Sequence, residues 1–421
     1  MSKPTAVATA TIVGGGPAGL FAAETLAEHN IAVTIYDHMP TVGRKFLLAG
    51  RGGLNITHTQ TINEFLDRYG AHREFLEPAI KDFGPDDLRR WCEDLGEPTF
   101  VGTSGRVFPK SFRATRLLRA WLKRLNEKGV DQKTRHRWLG WQRDAYNQID
   151  PGISNFADEN GAVHKVTSDV TLLAMGGASW PRVGSTGNWV SELQSAGVPI
   201  EPLKPANCGV AVKWSNVMTE RFGGTPLKNV SVNVGGTCVR GDVMITKRGL
   251  EGGPIYAHSA SITQTLDATE SPCLIQIDLH PDLDSDSLTA RLTKRRRPKD
   301  SIATWLKRSG IAPAEVALMR EAKANQLPSS PNVMAALIKS VPIHVKEMMP
   351  IDRAISTAGG VSFSALSKNF MINALPGVFV AGEMLDWQAP TGGYLLQATF
   401  SSARAAAQGA IEFLKECNQN L

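Results

Sequence analysis

The sequence predicts an α/β protein: a parallel sheet of the dinucleotide-binding kind, interrupted by a β-rich insertion that carries a small helical part. Three observations predict it. Residues 8–13 form an apolar, β-rich run that leads straight into Gly14-Gly15-Gly16-Pro17-Ala18-Gly19. Apolar residues then recur at helical spacing through Leu20, Ala23, Leu26 and Ala27, and residues 32–36 form a second apolar run. Strand, glycine turn, helix and strand in that order make a βαβ unit, which opens a parallel sheet. Further buried-strand patterns return far downstream, at 170–175 and 377–381, as a sheet assembled from distant segments requires.

The elements follow in order. From about 61 to 128 the pattern is helical, with Asn63 as an N-cap, Pro85 at the start of a further helix, and an amphipathic alternation of Leu with Arg and Lys over 114–128. The run 170–175 ends in Gly176-Gly177. From about 199 to 278, short β-rich runs (210–214, 230–234, 273–277) broken by Gly and Pro predict an antiparallel insertion. Residues 285–341 read as helical, punctuated by Pro298, Pro313 and Pro328, and an Ala-rich helix over 401–415 closes the chain. The expected organisation is therefore 1–198 with 357–421 for the dinucleotide domain, 199–284 with 342–356 for the β-rich insertion, and 285–341 for the helical subdomain.

Composition limits the classes. The 421 residues are 42% apolar and 20% charged, enough for more than one core and unlike a disordered, collagenous or disulfide-stapled chain. No apolar run approaches the ~20 residues that span a bilayer, and the first residues have no signal-peptide pattern. Cys92, Cys208, Cys238, Cys273 and Cys417 are scattered and never form C-x-x-C, a usage that fits a reducing cytoplasm and excludes a dithiol redox centre. Neither i, i+4 histidine pairs nor a carboxylate–histidine cluster is present, so no metal is expected. The expected protein is cytoplasmic and does not associate with membranes.

The glycine run has a physical reading. Gly14 turns the chain tightly, Gly16 lets backbone approach a pyrophosphate, and Gly19 lets the helix pack close to the sheet. Gly15, Pro17 and Ala18 complete a loop whose helix N-terminus presents free N–H groups and a positive dipole end to phosphate. Asp37, 18 residues past Gly19, ends the second strand where a carboxylate accepts adenosine ribose hydroxyls, which disfavours a bound 2′-phosphate. Two distal segments separate FAD from NAD. Gly176-Gly177 follows a buried strand, and Gly382-Glu383 ends another, placing an acid against ribityl hydroxyls. Pro390-Thr391-Gly392-Gly393-Tyr394 then starts a helix whose N–H groups face the flavin edge that gains negative charge on reduction. An enzyme that binds only NAD has no need of this second half, so FAD is the expected cofactor.

These segments also carry a resemblance. Gly14 to Gly19, Gly43-Arg44-Lys45 with Gly50-Arg51-Gly52-Gly53-Leu54-Asn55, Gly105 to Pro109, Gly176 to Gly187, Thr357 to Val361, Gly382 to Asp386 and Thr391 to Tyr394 resemble the HI0933-like (BaiN/RdsA) flavoproteins, from residue 12 to about 409. The resemblance implies a Rossmann-type FAD domain of the two-dinucleotide kind, with a β-barrel-like domain and a small helical subdomain inserted. It implies non-covalent FAD contacts at Gly14 to Gly19, Asp37, Arg44, Lys45, Asn55, Gly176, Gly177, Gly382, Glu383, Gly392, Gly393 and Tyr394. Two departures stand out. Many relatives carry Cys where this chain has Leu54, and their T-H-x-G-L-S-G segment reads Thr246-Lys247-Arg248-Gly249-Leu250-Glu251-Gly252 here, which implies a changed substrate preference if that segment lines the substrate site.

A second G-x-G-x-x-G is missing, so a dedicated NAD(P)H domain is not expected, and what remains is a flavin whose open face exchanges hydride in a cleft between domains. The first reading is a reductase of an activated C=C, with NAD(P)H as transient reductant; relatives of this kind act on bile-acid intermediates or a ribosomal RNA uridine. The others are an oxidase of small amines or aminoketones, and an RNA-binding flavoprotein without turnover. Candidate catalytic groups are Lys247, Arg248, Arg51 and Tyr394, polar residues in glycine-rich segments able to polarise a carbonyl or donate a proton.

The charge is uneven. From Arg106 to Arg137, eleven basic residues face two acids, and Arg291, Lys294, Arg295, Arg296, Arg297 and Lys299 form a second cluster in a chain of net charge +6. Phe108, Phe112, Trp121, Trp138 and Trp141 interleave with the first cluster as stacking groups for RNA, or as core residues at helical spacing.

Overall fold

The computed structural model describes residues 7–50, 53–269 and 271–419. The chain divides into two compact units, one made of residues up to Lys204 together with Ser356 onward, the other of Pro205–Ile355.

The first unit is built on a parallel five-stranded sheet ordered Val378–Val380, Val170–Leu173, Thr9–Val13, Ala32–Asp37 and Asp131–Thr134. Ile12 lies between Ile35 and Leu172, and Leu172 pairs in turn with Phe379. Strands covered on both faces need continuous apolar runs, which is why VTLL and VFV are buried throughout. Helices Pro17–Ala27 and Tyr394–Gln419 pack against the sheet and each other, around an aromatic cluster of Phe21, Trp91, Trp121 and Phe400 with ring centroids 4.8–6.3 Å apart. Trp121 is fully buried, and Trp138 and Trp141 are also core residues, so none of these three serves as a base-stacking surface.

One helix cap differs from the sequence reading, and two helical segments prove to be one. Thr61, not Asn63, caps the helix Ile62–Leu66, because its amide and hydroxyl both donate to the Glu64 carboxylate in a T-x-x-E box. The helix start read at 390–394 and the Ala-rich helix read over 401–415 are one continuous helix, Tyr394–Gln419. Its polar positions hide the continuity: the Ser401 and Ser402 hydroxyls donate back to the Gln397 and Ala398 carbonyls at 2.9 and 2.7 Å, so they lie inside the helix.

The second unit holds a seven-stranded antiparallel sheet ordered Val341–Val345, Cys273–Asp278, Pro226–Val234, Thr237–Thr246, Gly249–Glu251, Val210–Ala211 and Glu347–Met348. The two edge strands are separated in sequence by Lys346 alone. Two peptide steps of ~3.8 Å cannot cross an open seven-stranded sheet, so the sheet must curl until its edges meet, as a β-barrel does. Helices Ser285–Arg295, Ile302–Arg308, Pro313–Ala322 and Pro331–Lys339 share a core of Leu288, Leu292, Trp305, Leu318 and Met334 with it, and Val341 already opens a strand. Among the described residues, no helix is long and apolar enough to cross a membrane.

Candidate functional site

The glycine loop of the first unit is shaped by backbone contacts. Gly14 sits at φ +105°, its N–H donates to Tyr36 O at 2.8 Å, and a Cβ there would lie 2.4 Å from Ala174 O. A Cβ on Gly19 would lie 1.9 Å from Gly14 O, so helix Pro17–Ala27 packs at backbone contact. Gly16 differs: around its Cβ position nothing approaches closer than Ala174 O at 4.0 Å. It is also the N-cap of a helix that has no side-chain cap, with Pro17 at the first helical position. The first-turn N–H groups therefore face open space with a positive dipole end, the arrangement that binds phosphate.

Asp37 locks this loop from the end of its strand, accepting the Gly15 and Met39 N–H groups at 2.7 Å each. Burial pushes its pKa up, and the two amides oppose that shift. Gly15 O in turn accepts the Gly43 N–H at 2.8 Å, which sets the start of helix Arg44–Ala49.

Two distant segments meet this loop. Gly382, at φ +72°, lies against Ala18, where an added Cβ would come within 2.8 Å of the Ala18 Cβ. Glu383 next to it accepts the Thr357 N–H at 2.9 Å and the Gly177 N–H at 3.5 Å, and pairs with the Lys45 ammonium, which also donates to Ser179 Oγ at 2.7 Å. Lys45, Gly176, Gly177, Gly382 and Glu383 are thus one cluster, and its carboxylate is held by protein donors on both oxygens.

On another side Gly393, at φ +99°, sits so close to Thr57 that a Cβ would lie 2.5 Å from its carbonyl carbon. Gly392, at φ +139°, and Gly393 bring the chain into helix Tyr394–Gln419 beside the Asn55–Thr57 segment. Asn55 Nδ2 donates to Thr57 O and Val107 O at 2.9 and 3.0 Å. The Tyr394 hydroxyl donates to Gln60 Oε1 at 2.5 Å, and its ring stacks on His58 with centroids 5.5 Å apart. Burial raises the Tyr394 pKa, so the phenol is protonated at neutral pH. His58 is held neutral: burial lowers its pKa, Nδ1 accepts the Gln60 N–H at 3.1 Å, and Nε2 lies 2.9 Å from Ser104 O.

Buried polar atoms without a partner test whether a dinucleotide fits. Arg44 Nε, Asn55 Oδ1, Thr57 Oγ1 and Ser185 Oγ are four of them, all on segments of this cradle; Ser185 Oγ would be 3.4 Å from a Cβ on Gly176. Such orphans are costly unless something satisfies them. With the open space at Gly16, they fit a flavin dinucleotide, whose phosphates, ribityl hydroxyls and ring carbonyls offer both donors and acceptors.

The expected cofactor residues therefore come together in the first unit. Of the expected catalytic residues, Tyr394 is in the same place, Arg51 lies outside the described residues, and Lys247 and Arg248 are exposed on the tight turn between Thr237–Thr246 and Gly249–Glu251 of the second unit. Sequence reasoning placed the turn at 174–177 against the cofactor but gave Ser179, Ser185 and Thr57 no role of their own, because each offers a single hydroxyl inside a longer segment.

Comparison with known proteins agrees with the fold. The chain is 24% identical to the 3-dehydro-bile acid delta(4,6)-reductase of Clostridium scindens over 421 residues, 95% of this chain and 98% of that protein. It is 26% identical to the ribosomal RNA dihydrouridine synthase of Haemophilus influenzae over 410 residues, 94% and 96% of the two chains. Among solved structures, 3-ketosteroid delta1-dehydrogenase from Sterolibacterium denitrificans shares the fold at a TM-score of 0.55 and 11% identity, covering 96% of this chain and 99% of that one. A flavocytochrome c3 fumarate reductase follows at a TM-score of 0.53 and 14% identity, covering 98% and 79%. Matched from residue 8 to residue 409 by the model of the HI0933-like protein Rossmann domain, the chain belongs to the HI0933-like family of FAD-dependent oxidoreductases.

Proposed function

We propose that this oxidoreductase reduces an activated carbon–carbon double bond, draws its electrons from NAD(P)H, and takes as acceptor a uridine in RNA. The relatives' names divide between a bile-acid reductase and a ribosomal RNA dihydrouridine synthase. The observation that favours the second is a surface of three rings. Phe100, Phe108 and Phe112 lie 4.9–5.8 Å apart, and Phe112 is 50% exposed at φ +55°. A large apolar side chain held out to solvent on left-handed backbone points to use by a ligand. Arg106, Lys110 and Arg113 around it are exposed and join no ion pair among the described residues. Flat rings beside unneutralised cations suit unpaired bases and their phosphates.

The surface adjoins the cradle. Gly53, at φ +119°, would place a Cβ 3.2 Å from the Phe112 ring, and the Ile56 N–H and Asn55 side chain both donate to Val107 O, on the strand that carries Phe108. When bound, the flavin supplies the hydride. The chain's own groups would orient the acceptor and hold the proton. Tyr394 is protonated, aligned by Gln60, and packed against a neutral His58 that does not compete as a cation.

An anaerobic absorption titration tests the electron donor: NADPH or NADH is expected to bleach the flavin within the mixing time of a turnover experiment, and no bleaching by either would exclude both. Filter binding of a short single-stranded oligouridylate tests the acceptor. Phe112→Ala is expected to weaken it by about 1–3 kcal/mol, and Arg113→Ala to lower the salt slope by about 0.7. Absence of binding at low salt removes RNA as the acceptor. Tyr394→Phe is expected to keep the flavin spectrum and to reduce turnover roughly 10²–10⁴-fold, the usual contribution of a positioned acid; unchanged turnover would take Tyr394 out of the chemistry.

A further inference from the structure

The second unit contains a cavity of about 610 Å³, lined by helix Asn216–Phe222, by helices Ile302–Arg308 and Pro313–Ala322, and by the turn after the last of these. That volume is within the range of about 300–1,000 Å³ that holds small organic ligands. Its floor is aliphatic: Met218 and Ile311 are buried, Val316 nearly so, with Ala317 and Phe222 beside them. Arg221, Lys307 and Arg320 stand along it, exposed, and none of the three joins an ion pair among the described residues.

One carboxylate lines the cavity, and it is already engaged. Glu321 accepts the Ser215 N–H at 3.0 Å through one oxygen and the Ser215 hydroxyl at 2.5 Å through the other. Ser215 Oγ in turn accepts the Met218 N–H at 3.3 Å, so Glu321 braces the start of helix Asn216–Phe222. The lining keeps a positive excess, three cations against one carboxylate, and Glu321 forms no ion pair with any of the three among the described residues. At the end of helix Pro313–Ala322, Ala324 and Asn325 both take left-handed backbone, at φ +46° and +66°. For alanine that conformation is unfavourable, and here it shapes the cavity wall.

We infer that this cavity is a second ligand site, for a small amphipathic organic anion: an apolar body on the Met218–Ile311–Val316 floor and an acidic head among Arg221, Lys307 and Arg320. Three unpaired cations over an apolar floor match such a molecule in both charge and surface. A nucleic-acid strand fits less well, because a single ring, Phe222, offers little to stack on, and Arg221 already covers it at 5.8 Å. The inference rests on the second unit alone and stands or falls independently of the proposed reductase reaction.

Isothermal titration of the flavin-loaded protein with laurate, with dodecanol and with oligouridylate tests it. Laurate is expected to bind once per chain and at least tenfold more tightly than dodecanol. Arg320→Glu and Arg221→Glu, both exposed positions, are expected to weaken laurate at least tenfold. Ala317→Trp is expected to fill the floor and abolish binding, with circular dichroism and melting temperature checking that it folds. Equal affinity for laurate and dodecanol, wild-type affinity in both charge reversals, or displacement of laurate by oligouridylate would each overturn the assignment.

Discussion

Gly16→Ala is expected to fold with the stability of the parent apoprotein yet bind flavin at least tenfold more weakly, whereas Gly14→Ala loses both stability and colour. The two glycines are two residues apart, and their surroundings differ completely. Gly16 has ordinary backbone angles, φ −78° and ψ −178°, and a Cβ there meets nothing closer than Ala174 O at 4.0 Å. Alanine is tolerated by such backbone, and apoprotein stability should change by less than about 1 kcal/mol. The new methyl group instead occupies the space into which the helix N-terminus points. At Gly14 the backbone is left-handed and the methyl group would meet the Ala174 carbonyl at 2.4 Å, a backbone atom of a central strand that cannot swing aside. Backbone strain of about 1–3 kcal/mol and overpacking of about 1–3 kcal/mol combine there. Melting curves of the apoproteins and the visible absorption of each preparation measure the two effects separately. Wild-type flavin affinity in Gly16→Ala would show that the open space is not the cofactor's.

Arg124→Met is expected to destabilise the first unit by about 3 kcal/mol, near the lower end of what breaking a buried pair costs. Glu24 is a carboxylate only 3% exposed in the middle of helix Pro17–Ala27, and its two oxygens accept Arg124 Nη1 at 3.0 Å and Trp91 Nε1 at 3.1 Å. Removing Arg124 leaves a buried anion with one neutral donor. Arg124 itself is 23% exposed, so water reaches the vacated place and moderates the loss. The neighbouring pair of Lys128 with Glu28 joins the same elements at 3.1 Å, but both ends are wet and the pair contributes under about 1 kcal/mol. A loss of 3 kcal/mol corresponds to a melting temperature lower by roughly 6–12 °C in a unit of this size. Replacing both partners, Arg124→Met with Glu24→Leu, should recover most of it, because no charge is then left buried. A double variant as unstable as Arg124→Met would show that packing around the site, not the stranded charge, sets the cost.

Much of the cofactor cradle was legible because its requirements are local. Gly14 announces itself through the turn that only glycine makes easily, Gly19 through the close helix–strand approach, and Asp37 through its place at the end of an alternating apolar run. The terminal helix was legible in two pieces, a start at 390–394 and an Ala-rich period over 401–415; that they are one helix shows only when Ser401 and Ser402 are seen to bond back to it. Thr61 was overlooked in favour of Asn63 because both residue types cap helices. The partner that decides is Glu64, three residues beyond Thr61.

The aromatic residues of the basic region divide in a way no linear pattern contains. Trp121, Trp138 and Trp141 turn into the core, while Phe112 stays half exposed beside Phe100 and Phe108. Helical spacing marks Trp121 as apolar-facing, but which face the rest of the fold covers is settled only when helix Ala114–Glu127 packs on helix Pro17–Ala27.

By itself, then, the sequence determined the βαβ opening, the glycine turn, the acid at the second strand's end and the helix N-termini available to an anion, because φ preferences, capping and hydrophobic period act between near neighbours. The tertiary structure decided that Ala174 O lies under Gly14, that Lys45 meets Glu383 across 338 residues, that Gly393 rests on Thr57, and that the β-rich insertion curls with its two edge strands one residue apart. Those contacts depend on strand order, with Val378–Val380 beside Val170–Leu173 and Val170–Leu173 beside Thr9–Val13. A strand's alternation specifies which face is buried but not its neighbour, so pairing between distant strands is settled only by the packing of the whole unit.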